Sequence, residues 1–180
     1  MAENQKVPES GGELTNTETT KSAEMERIAQ VVQTLINYLG VRANVEVTQD
    51  ARGYLANIKT KRASAILIGR RGSNLKALQH LVRTIVRREF PDVAPILVDV
   101  AGYRQRRDNF LRKKALAVAK IVSETGREMA LDLLTEKEMV VVQEALKEMP
   151  GVRIYAVGTG PRRNVIIAPI DTGPRPSDAA

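Results

Sequence analysis

Gly69-Arg70-Arg71-Gly72, with the apolar Ile68 before it, is the run best suited to chemistry in this chain. Paired glycines let a backbone turn tightly and approach a ligand with no Cβ in the way. The run opens onto Leu75, Leu78, Val82 and Ile85, spaced 3, 4 and 3 residues apart, which predicts an amphipathic helix. Free N–H groups and the positive dipole end at the start of such a helix favour an anion. Two guanidinium forks at that spot match the oxygens of a phosphate. A plain helix-to-helix turn with two solvated arginines would use the same residues, so the surrounding charge decides. From Gly69 to Arg88 six residues are basic (Arg70, Arg71, Lys76, Arg83, Arg87, Arg88) and none is acidic. Lys76, Arg83 and Arg87 lie off the apolar stripe and form a cationic face. Ser73 or Asn74 is placed to cap the helix.

A second concentration of charge is Arg104, Arg106, Arg107, Arg112, Lys113 and Lys114, opposed only by Asp108. It either extends an anion-binding track or forms a solvated helix face with i,i+4 pairs such as Asp108–Arg112. Arg162 and Arg163 fall in a turn, where charge is expected in any case, and His80 reads as an exposed helix residue.

Composition removes other chemistries. The 180 residues include no cysteine and one histidine, which excludes disulfides, thiolate zinc sites, His-pair metal sites and a cysteine nucleophile. G-x-x-x-x-G-K-[ST] is absent, so Gly69–Gly72 is not a Walker loop. Glu136, Glu138, Glu144 and Glu148 read as an exposed, lysine-interleaved helix face rather than a metal cluster. No apolar run reaches the ~18 residues of a membrane span, and the start lacks a signal peptide's apolar region, so a cytoplasmic protein is expected. The net charge of +7 points to a polyanionic partner. Six aromatics are too few for a base-stacking platform; Ile66, Leu67, Ile68 and Leu75 serve either an aliphatic groove or the core.

The elements that must hold these residues follow from periodicity. Residues 1–23 and 171–180 are polar and predicted to be disordered tails. Ile28, Val31, Val32, Leu35, Ile36 and Leu39 mark a helix from Glu24 that stops at Gly40. Two strands follow, Val41–Thr48 and Tyr54–Lys59, about an Asp50–Gly53 turn. A short helical turn at Ala63–Ile68, the loop, the helix to residue 89 and a strand at Ile96–Val100 complete a unit over 24–100. A second unit, 101–170, has a long helix on Leu111, Ala115, Val118 and Val122, closed by Thr125-Gly126. A short extended stretch, Met129–Leu133, comes next. Thr135–Glu138 is a capping box opening a helix on Met139, Val142 and Leu146. A hairpin of Val152–Val157 and Asn164–Ala168 ends the unit. The fold class is α+β.

The order helix, strand, strand, helix, Ile68–Gly72, helix, strand resembles a type II KH domain, whose G-x-x-G loop clamps a single-stranded RNA backbone. Val98-Asp99-Val100-Ala101-Gly102-Tyr103-Arg104 and the run to Arg107-Asp108 resemble the interdomain junction of the bacterial Jag (KhpB, SpoIIIJ-associated) family, which joins a type II KH domain to an R-three-H domain. The resemblance spans about residues 24–170. It implies a small R-three-H-like second domain of two helices and a β-hairpin. It also implies single-stranded RNA as partner and Gly69, Arg70, Arg71, Gly72, Ser73, Lys76, Arg104 and Arg107 as RNA-binding residues. No catalytic residue, metal or cofactor is expected.

Two departures stand out. The Arg and His that name the R-three-H domain align with Met139 and Gln143, neither cationic, and Met139 fits the apolar stripe. Residues 1–23 are too short and polar to supply the additional N-terminal domain of many members. The expected function is therefore non-catalytic RNA binding in a post-transcriptional or cell-envelope-related regulator. The alternative is an adaptor for a small KH-only protein or the membrane-insertase machinery.

Overall fold

In the computed structural model, residues 12–60 and 63–170 are described; of the tails expected at 1–23 and 171–180, residues 1–11 and 171–180 lie outside them. The chain divides into two units between Tyr103 and Arg104.

The first unit runs α1 (Gly12–Tyr38), β1 (Asn44–Asp50), β2 (Gly53–Lys59), α2 (Ser64–Ile68), a 3-10 turn (Arg70–Gly72), α3 (Ser73–Glu89) and β3 (Ile96–Val100). α1 begins twelve residues before the expected start at Glu24, so the expected tail is helical from Gly12 onward. Residues 18–23 are exposed, and these turns extend a helix already anchored downstream, each added residue needing only its own hydrogen bond. Ile28, Val31, Val32 and Ile36 are buried as the spacing predicts, whereas Leu39 lies beyond the last turn and is exposed.

β2 is central in the sheet, antiparallel to β1 and parallel to β3. A parallel pair needs a long crossover, and the crossover between β2 and β3 consists of α2, the arginine loop and α3. Alternation puts Tyr54, Ala56 and Ile58 of β2 and Ile96, Val98 and Val100 of β3 into the core, with Leu55 and Leu97 on the exposed side. Leu75, Leu78, Val82 and Val86 of α3 close over the core; Val86, rather than Ile85, is the fully buried fourth position. Gly53 is obligatory where it stands: a Cβ there would sit 2.1 Å from the Pro95 carbonyl oxygen. The Tyr54 hydroxyl donates to the Glu24 carboxylate, so the polar end of this buried ring is satisfied, and burial followed by that carboxylate pushes its pKa up.

The second unit contains α4 (Tyr103–Thr125, apart from its first residue), β4 (Met129–Leu134), α5 (Glu136–Leu146), β5 (Val152–Val157) and β6 (Arg163–Pro169). Its sheet has order β4-β6-β5. The expected hairpin is thus part of a three-stranded sheet: Met129–Leu134 pairs with β6 through a bulge at Ala130/Asp132. Leu111, Ala115, Ala119 and Val122 of α4 pack with Leu131, Leu134, Val142, Leu146, Val165 and Ile167. Thr135 and Glu138 form the predicted capping box.

Candidate nucleic-acid interface

The loop between α2 and α3 is built from left-handed backbone. Gly69 has φ 69 and ψ −176, Arg71 φ 53 and ψ 34, and Gly72 φ 75 and ψ 19. The succession turns the chain within four residues; glycine adopts its positive φ values at little cost, and Arg71 is the non-glycine residue that does so. A Cβ on Gly69 would meet Asn74 Cγ at 2.5 Å. The Gly69 N–H donates to the Ala65 carbonyl at 2.9 Å, closing α2.

Neither Ser73 nor Asn74 caps α3. Gly72 is the N-cap, without a side-chain acceptor, and Ser73 is already helical. Asn74 instead reaches back, its Nδ2 donating to the Ile66 carbonyl at 2.9 Å and tying the two sides of the loop together. The Ser73 hydroxyl donates to Asn74 Oδ1 at 3.2 Å. No side chain thus caps α3 at its start, and its first turn contains no acidic residue, an arrangement suited to an anion. Arg70 is exposed and has no carboxylate partner among the described residues; Arg71 is half-buried. Lys76, Arg87 and Arg88 are exposed along α3 and Arg83 is half-buried. His80 is exposed. Leu67 and Leu75 belong to the core, whereas Ile66 is 59% exposed beside the loop.

One neighbour of the loop was not legible in the sequence. The Tyr103 ring lies against Gly72, 31 positions earlier, with Cε1 3.0 Å from where a Cβ on that glycine would stand.

The second unit distributes its cations differently. Arg107 is turned inward: Nε donates to Glu138 Oε1 at 2.9 Å and a terminal nitrogen lies 3.5 Å from Asp132 Oδ2, with these side chains 10–14% exposed. Lys114 donates to the Leu131 carbonyl and approaches Asp132 at 4.0 Å. Glu138 is accordingly part of an internal cluster and not of an exposed acidic face. Burial alone would raise its pKa; the Thr135 N–H, the Arg107 guanidinium and the Thr135 hydroxyl outweigh that and hold it below its ordinary value. Arg112 bonds Asn109 at 3.2 Å, three residues back, rather than Asp108. Arg104 is half-buried in the first turn of α4. Met139 packs against the second core and Gln143 is exposed.

No protein-family model matches the chain. The RNA-binding protein KhpB of Clostridium symbiosum is 30% identical over 151 residues, covering 84% of this chain and 67% of that protein. This chain belongs to the KhpB family. The KhpB proteins of Lactiplantibacillus plantarum (25% identical over 167 residues, 93% of this chain and 52% of that one) and Bacillus subtilis (25% over 139 residues, 76% and 66%) are similar over comparable stretches. The chain spans about half the length of the L. plantarum KhpB. Among solved structures, a chain of Aquifex aeolicus Era aligns with a TM-score of 0.27 at 16% identity, over 50% of this chain and 34% of that one, too slight a likeness to carry an argument.

Proposed function

We propose that this KhpB-family chain is a non-catalytic single-stranded RNA-binding protein whose Gly69–Gly72 loop clamps the sugar–phosphate backbone. The observation that carries the reading is the start of α3: no side-chain cap, no acidic residue, and beside it a glycine-bounded arginine pair in which Gly69, Arg71 and Gly72 take left-handed backbone. The order helix, strand, strand, helix, helix, strand in the first unit supports reading it as a type II KH domain, and the relatives are named RNA-binding proteins. Backbone amides, two guanidinium groups and Lys76 supply charge and hydrogen bonds to phosphates, while exposed Ile66 offers apolar surface to a base. Ser73 belongs to this set through its backbone amide.

Arg107 is left out of the proposed RNA surface because its guanidinium is engaged by Asp132 and Glu138. Arg104 remains a secondary candidate, to be judged by substitution. The second unit is read as R-three-H-like, with Met139 and Gln143 at the signature positions. Exposed Phe110, Leu116 and Ile121 on α4 favour a protein-adaptor role for that unit, with a small KH protein as the candidate partner. Retention of a partner after RNase treatment supports that role.

No helix among the described residues is long and apolar enough to cross a membrane; a cytoplasmic setting is part of the proposal. The test is Arg70→Asp combined with Arg71→Asp, which reverses the charge at exposed and half-buried positions without touching the core. The double variant is expected to keep its fold by circular dichroism and to lose single-stranded RNA in a filter-binding assay. Unchanged affinity in the folded variant contradicts the clamp.

A further inference from the structure

The end of β3 is shaped to deliver one aromatic side chain to the arginine loop. The Ala101 N–H donates to the Ile58 carbonyl at 3.1 Å, holding the strand one residue past Val100. Ala101 (φ 48) and Gly102 (φ 74) then both take left-handed backbone, uncommon for an alanine. The chain turns sharply, and Tyr103 packs against the first core. Its outer ring edge meets the loop: a Cβ on Gly72 would stand 3.0 Å from Cε1 and 3.4 Å from the hydroxyl oxygen.

We propose that Tyr103 is a positioning residue for the RNA clamp, its ring a stop that holds Gly72 in the left-handed conformation from which α3 starts. The inference rests on the reading of Gly69–Gly72 as that clamp. The physical argument is preorganisation. A loop of two glycines and two arginines has many conformations when unsupported, and each residue it must order on binding weakens affinity. Asn74 secures the loop from the α2 side through the Ile66 carbonyl; Tyr103 secures it from the other side, where Gly72 has no side chain of its own to pack. The ring carries this role through its edge contact with Gly72, which an aliphatic side chain does not reproduce.

Trypsin provides a readout independent of RNA, because Arg70 and Arg71 are cleavage sites within the loop. In the full chain, Tyr103→Ala is expected to speed cleavage after Arg70 and Arg71 and amide exchange at Gly72 and Ser73, each by about tenfold, with exchange at Val82 and Val86 unchanged. Affinity for a single-stranded RNA oligonucleotide is expected to fall about tenfold with the same salt slope, since the phosphate contacts are retained. Tyr103→Phe keeps the ring edge and is expected to stand closer to wild type than Tyr103→Ala in all three. Should Tyr103→Ala loosen the whole unit, Tyr103→Leu fills the apolar volume without the ring edge and carries the same expectation. Loop cleavage and exchange equal to wild type in the Ala and Leu variants overturn the proposal, as does a Phe variant as impaired as Ala. Failure of the unaltered chain to bind RNA would instead count against the clamp itself, while cleavage and exchange would still report the hold of Tyr103 on the loop.

Discussion

Gly69→Ala is the perturbation whose cost the geometry defines most closely. At φ 69 and ψ −176 the residue occupies backbone that is essentially restricted to glycine, so an alanine held there carries strain of about 1–3 kcal/mol. The new methyl would lie 2.5 Å from Asn74 Cγ, 2.6 Å from its Oδ1 and 2.9 Å from its Cβ. The Asn74 side chain must swing away, which breaks its hydrogen bond to the Ile66 carbonyl, a loss of about 0.5–1.5 kcal/mol. Together these give about 2–4 kcal/mol against the first unit. Urea denaturation by circular dichroism, with peptide-level amide exchange to assign the loss to residues before Tyr103, measures it. Asn74→Ala alone should cost about 1 kcal/mol, through the same bond. Because Gly69→Ala already breaks that bond, the double variant should cost less than the sum of the singles by about 0.5–1.5 kcal/mol. Additive costs, or a neutral Gly69→Ala, refute the argument that Asn74 and the glycine backbone hold the loop together.

Two further outcomes concern the second unit. Arg107→Leu strands the carboxylates of Asp132 and Glu138, and with Lys114 as partial compensation the loss should be about 2–4 kcal/mol in urea denaturation, with RNA affinity within about twofold of wild type. A loss below about 1 kcal/mol, or abolished RNA binding, contradicts the structural role given to this arginine. Glu138 titrates below its ordinary value of 4.5 in the folded chain, so the unfolded chain takes up that proton first. Its contribution is complete above the ordinary carboxylate range and is lost as pH falls through the folded pKa. Glu138→Gln should therefore lower stability at neutral pH and flatten the decline below about pH 4.5; an unchanged acid limb argues against the cluster.

Apolar spacing carried the architecture far because burial follows periodicity: Ile28, Val32, Ile36, Leu75, Leu78 and Val82 are in the core where a 3.6-residue repeat places them. The capping box at Thr135–Glu138 was legible because both of its bonds are local. Contacts between distant residues were not. Strand β4 depends on β6, whose paired residues lie 29 to 38 positions away and are reached through a bulge, so its segment reads only as extended chain. The inward turn of Arg107 requires Asp132 and Glu138, and nothing in a run of basic residues says which one will find buried carboxylates. Asn74 follows the general preference for capping, yet the nearby Ile66 carbonyl draws its side chain elsewhere. The loop glycines were recognisable from type and spacing alone; the ring that presses on Gly72 was not.

Photocrosslinking of the full chain to a single-stranded RNA oligonucleotide, followed by mass-spectrometric mapping of the modified peptides, tests the central claim most directly. Crosslinks concentrated between Ile66 and Lys76, and lost in the Arg70→Asp, Arg71→Asp double variant, are the predicted result. Crosslinks confined to residues 104–170, and insensitive to that double variant, would contradict it.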